Sequence, residues 1–155
     1  MSYNDLRKGR VSLPGHAYMI TTVTEGRVPI FEDFSLARTT ILVLREQEST
    51  KRVSTQAFVL MPDHLHWLFV LNSGTLSDIV KCFKAHSAMA INQILGRRGS
   101  VWQKSFFDHG LRKEEELLPM ARYIVANPLR AGLAEHIGDY PHWDAIWLQH
   151  SLQAK

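Results

Sequence analysis

The sequence holds one cysteine, Cys82, in 155 residues. A single thiol excludes an internal disulfide and any cysteine-rich zinc site. In its helix-like surroundings Cys82 reads as a small buried apolar residue. Long hydrophobic runs are also missing. Asp63 and two histidines interrupt the longest one, so no segment approaches the length of a bilayer span. The opening MSYNDLRKGR is polar and basic and does not read as a secretory signal. Internal repeats and low-complexity linkers are absent. Charge of one sign is scarce too: Lys plus Arg is 18, Asp plus Glu is 15, and the net charge is +3 with a pI near 9.2. That excess permits a polyanionic partner without requiring one. With 45% hydrophobic and 21% charged residues, the chain reads as a cytoplasmic, globular, single domain over residues 1–155.

What is present is a sequence of strand-like and helix-like stretches. HAYMITTVT, residues 16–24, is rich in β-branched and aromatic residues and predicts a first strand. Gly26 and Pro29 mark a loop. From Asp33 to Glu48, apolar residues recur at helical spacing behind Asp33 as N-cap. Val53 to Met61 predicts a second strand, and Pro62-Asp63 separates it from the next, which suits an antiparallel hairpin. Thr75 to Leu95 is the clearest helix, with Thr75 and Asp78 at capping-box spacing and Gly96 as its stop. VWQKSFFDHGLR predicts an extended segment. A last helix lies within Glu114–Asn127, beginning near Pro119 or kinked there and limited by Pro128. Strands then helices, with the helices on one face, predict an α+β sandwich rather than a parallel doubly wound sheet.

Two stretches carry chemistry. MPDHLHWLFV places His64 and His66 two apart in a strand-like run, so both rings point to one face. That arrangement suits a divalent metal, although an HxH pair also fits ordinary core or edge histidines. In ARYIVANPLRAGL, Tyr123 and Asn127 are four apart and would stack on one helix face. A phenol and a carboxamide there suit a nucleophile and a metal ligand. On helix spacing alone a core tyrosine and a boundary asparagine, both common, are the better fit.

His64-Leu65-His66 within MPDHLHW, followed by YIVANPLRAGL, resembles the REP-associated tyrosine transposases. These are HUH single-strand endonucleases related to single-tyrosine insertion-sequence transposases; Leu65 is the hydrophobic U. The likeness runs from about Arg7 to Trp143. It takes in HAYMITTVT, FKAHSAMAIN, WQKSFFDHGLR and the trio Tyr140, Pro141 and Trp143. It implies a ferredoxin-like fold: a four- to five-stranded antiparallel sheet carrying the HUH pair, with the tyrosine on a helix facing it. Carried over, His64 and His66 are metal ligands in the catalytic centre, Tyr123 the nucleophile and Asn127 the third ligand. The implied activity is metal-dependent cutting and strand transfer on single-stranded DNA through a 5′-phosphotyrosine. The implied substrates are palindromic elements that fold as hairpins, with a flanking single-stranded guide. Mixed nitrogen and oxygen ligation points to Mg²⁺ or Mn²⁺.

Candidate DNA contacts are Arg7, Lys8 and Arg10 near the start, Lys81 and Lys84 on one helix side, and Arg97, Arg98, Arg112 and Arg130. Each also fits solubilising charge. Trp102 could stack on an unpaired base or belong to the core. Asp63 reads as a turn residue, and the role of His109 is open. Two other functions compete: a regulator that binds DNA hairpins without cutting, and a metallohydrolase that activates water. The second lacks an evident Glu base beside the pair. A monomer and a homodimer are both compatible with the sequence.

Overall fold

The stretch from His64 to Leu71 alternates as a strand must, and it becomes the middle strand of the sheet. In the computed structural model, which describes residues 12–146, the strands are β1 (Ala17–Val23), β2 (Val53–Met61), β3 (His64–Leu71), β4 (Phe107–Gly110) and β5 (Trp143–Ala145). They form one antiparallel sheet in the order β4-β1-β3-β2-β5. The helices are α1 (Phe34–Ser49), α2 (Leu76–Leu95), α3 (Leu117–Val125) and a single turn, α4 (Asn127–Arg130). The α+β class expected from the sequence is the class the chain adopts.

Period two sorts β3 onto two faces. Leu65, Trp67, Phe69 and Leu71 join Tyr18, Ile20, Phe58 and Leu60 in a core beneath α1 and α2. Leu68 and Val70 face the other way, with Ala57, Val59 and Met61, against Ala121, Ile124 and Val125 of α3. His64 and His66 share that second face by parity. A bulge between Thr55 and Ala57 swaps the faces of β2: Val53 lies in the first core and Ala57 in the second. The expectation of helices on one face thus holds for α1 and α2, while the shorter α3 covers the opposite face. No helix among the described residues is long and apolar enough to cross a membrane.

Local chemistry sets the boundaries. Asp33 caps α1 by accepting from Leu36 N (3.1 Å), and Thr75 caps α2 by accepting from Asp78 N (3.1 Å). Gly96 ends α2 in the left-handed region, φ 62°. Met61 pairs with His64, which leaves Pro62 and Asp63 as the two-residue hairpin turn. α3 begins at Leu117, two residues before the expected Pro119. Pro119 falls in the first turn, where a backbone N–H has no helical partner to lose. α3 ends at Val125, because Pro128 cannot donate back into the turn before it.

Candidate functional site

On the face of β3 that looks towards α3, the two imidazoles meet edge to face, ring centroids 4.8 Å apart at 78°. Each ring is held at Nδ1. His64 Nδ1–H donates to Asp63 Oδ1 at 2.7 Å, since a carboxylate can only accept. His66 Nδ1 is 2.7 Å from Thr21 Oγ1, the residue opposite it on β1. Among the described residues neither Nε2 has a hydrogen-bond partner. Hydrogen bonds of this kind orient metal-binding histidines.

Charge state favours the same use. Burial, then the charges of His64 and Arg130, pull His66 down to about 4, so its ring is neutral at neutral pH. Burial pushes the Asp63 carboxyl up, but the hydrogen bond and charge of His64 and those of Arg27 outweigh it and hold it below the ordinary 3.8. Arg27 Nη1 donates to Asp63 Oδ2 at 3.2 Å from a backbone held at φ 53°. Asp63 therefore does more than turn the chain; it steers His64. Neither Asp63 nor Thr21 stood out in the sequence as a supporting group. The available signal was a carboxylate directly before the first histidine.

Among the described residues, no group of three His, Cys, Asp or Glu could hold a metal ion. A third protein ligand beside the imidazoles would therefore be a neutral oxygen donor. Asn127 is of that type. It opens α4, half-buried, with no side-chain hydrogen bond among the described residues. The donor set fits a divalent cation with open positions.

Tyr123 is 55% exposed on α3. Tyr123 and Asn127 fall on separate helices either side of Ala126, not on the one continuous helix expected. The neighbour of Tyr123 is Arg130, whose guanidinium carbon lies 3.9 Å from the ring centroid and whose Nη2 donates to Tyr123 O at 2.7 Å. The charge of Arg130 also reaches His66. Phe107, half exposed on edge strand β4, lies across Thr21 from His66 in the same row, so an open aromatic face borders the site. His109 shares that face and is exposed.

The remaining candidates lie elsewhere. Trp102 is 5% exposed, and its indole N–H donates to Ser87 Oγ at 2.9 Å. It packs between Phe31 and Phe83, so the base-stacking expectation is corrected: no ring face is open. Lys84 is likewise corrected. Its ammonium turns inward to the carbonyls of Gln103 and Ser105, both at 2.8 Å. Lys81 is exposed beside it on α2, in the layer opposite the imidazoles. Arg112 is exposed by a groove at the Val70 end of β3, away from His64. Arg7, Lys8 and Arg10 lie outside the described residues.

Residues 12–127 match the family described as Transposase IS200 like, a span that contains His64, His66, Tyr123 and Asn127. The chain belongs to this family. A REP-associated tyrosine transposase of Escherichia coli K12 is 25% identical over 85 residues, 55% of this chain and 50% of that protein. A Haemophilus influenzae protein assigned to the same group is 26% identical over 99 residues, 57% of this chain and 56% of its own length. The chain spans about half the length of these curated relatives. The solved structure of a REP-associated tyrosine transposase bound to a REP hairpin superposes with a TM-score of 0.69 at 22% identity. It covers 86% of this IS200-like chain and 79% of that one. A structure from Deinococcus radiodurans assigned as a transposase gives 0.54 at 22% identity, over 75% of this chain and 93% of that one. The two structures share the fold.

Proposed function

We propose that this IS200-like transposase cuts and rejoins single strands of hairpin-forming, repetitive palindromic DNA through Tyr123. The observation that carries the reading is the edge-to-face imidazole pair, each ring held at Nδ1, on the sheet face covered by α3, the helix on which Tyr123 stands exposed. Tyr123 Oη attacks the scissile phosphorus in line, its proton is lost, the P–O3′ bond breaks and the departing 3′ oxygen takes up a proton. The product is a 5′-phosphotyrosine and a free 3′-hydroxyl. Because a phosphoester survives on the protein, another 3′-hydroxyl can reverse the step and join. His64, His66 and Asn127 would hold Mg²⁺ or Mn²⁺, whose charge stabilises the phosphate as the transition state forms. Asp63 and Thr21 fix the two imidazoles. Phe107 offers a flat surface for an unpaired base beside the cut. The likeness to REP-associated proteins, one of them solved on a REP hairpin, supports hairpin DNA as the partner.

The test compares wild type, Tyr123→Phe and His64→Ala on a labelled hairpin with a single-stranded tail, with and without Mn²⁺. Wild type should give a protein–DNA adduct only with Mn²⁺, and both variants should give none. Retention of the hairpin by wild type without cutting would leave a binding regulator. Cutting that persists in Tyr123→Phe would mean that water, not the phenol, attacks.

A further inference from the structure

We infer that Arg130 is a positioning residue for Tyr123: it holds the ring at one orientation, and so sets the rate of attack. The inference rests on Tyr123 being the nucleophile proposed above. Arg130 lies beyond the end of the family match at residue 127, so its role has to be read from its own contacts.

Those contacts are unusual in falling twice on the same residue. The guanidinium lies over the Tyr123 ring at 3.9 Å, and one of its nitrogens donates to the Tyr123 carbonyl at 2.7 Å. The break at Ala126 makes this possible. α3 stops at Val125, α4 makes one further turn, and residue 130 comes back over residue 123. The phenol hydroxyl has no hydrogen-bond partner among the described residues, the ring is more than half exposed, and it borders an open groove lined also by Lys113, Glu115, Glu116, Pro119 and Met120. A surface tyrosine on a helix would otherwise sample several rotamers. A planar, delocalised cation is suited to stacking on the ring while bonding a carbonyl, and an ammonium cannot do both. Nucleophiles lose rate steeply when misplaced, by about 100-fold for about 1 Å.

A bland alternative is that Arg130 only caps the C-terminal end of α3. Two measurements on the full chain separate the readings. In the first, tyrosines are replaced by fluorotyrosine, and the Tyr123 fluorine resonance is assigned by its loss in Tyr123→Phe; the chain has four tyrosines. The signal should move towards that of free fluorotyrosine in both Arg130→Ala and Arg130→Lys. In the second, single-turnover adduct formation on the labelled hairpin should fall about 10- to 100-fold in both variants, with hairpin Kd changed less than about threefold. An unmoved resonance, or full rescue of resonance and rate by Lys, overturns the inference. So does a loss confined to affinity with a shallower salt dependence, which would make Arg130 a phosphate contact. The fluorine readout needs no DNA. If wild type forms no adduct, the nucleophile reading fails, and the resonance still decides the role of Arg130.

Discussion

Asp63 accepts from His64 on one carboxylate oxygen and from Arg27 on the other, and that is a stronger commitment than a turn residue needs. Asp63→Asn should weaken Mn²⁺ binding about 10- to 100-fold with the fold intact, as loss of an orienting hydrogen bond usually does; titration calorimetry measures it, and unchanged affinity would remove the steering role. The His64/His66 pair was legible in the sequence because strand parity alone puts both rings on one face. Asp63 was not, because parity sends an adjacent strand residue to the opposite face, whereas Asp63 sits in the hairpin turn and escapes the rule. Trp102 misled as a base-stacking candidate because an apolar segment without clear periodicity does not say which ring is inside. Trp102→Ala should cost about 3–5 kcal/mol in urea unfolding. Tyr123→Phe, at an exposed ring, should stay within about 0.5 kcal/mol of wild type.

The β2–β3 hairpin and α2 could be read residue by residue, since their start and stop signals are side chains next to the boundary. α3 was harder. Its start at Leu117 depends on a proline being harmless in a first turn, and its end separates Tyr123 from Asn127, a break that spacing alone cannot reveal. Lys84 shows how an element can recruit a charge: from α2 it satisfies two carbonyls of the Gln103–Ser105 segment. Lys84→Met should therefore destabilise the protein by about 1–3 kcal/mol. It should also speed limited proteolysis within that segment. A variant as stable and as resistant as wild type would return Lys84 to the solvent-facing charges.

The two faces of the sheet differ, with the larger core under α1 and α2 and the imidazole pair on the face that α3 covers. The fold was legible as a class; that α3 takes the second face was not, because its buried stripe of Ala121, Ile124 and Val125 does not name the surface it meets. Acid should act on this arrangement. His66 titrates near 4 in the fold against an ordinary 6.5, and His142 is lowered too, by burial and then by the charge of Arg38. The unfolded chain thus binds protons first as pH falls below 6.5. Stability is retained above that value and lost on the way down towards 4, by up to about 3 kcal/mol for His66 before solvent relaxation is counted. Denaturant midpoints at about pH 7 and about pH 5 should differ accordingly, and equal midpoints would mean both rings are already charged in the native state. Finally, β3 is flanked on both edges by long partners, whereas α3 is only nine residues long. Deuterium should enter the amides of His64–Leu71 only when the whole molecule opens, and those of Leu117–Val125 through cheaper local openings. On the proposed mechanism, the imidazole strand would then behave as a fixed anvil, and the tyrosine helix as a part that can swing away after each strand is released.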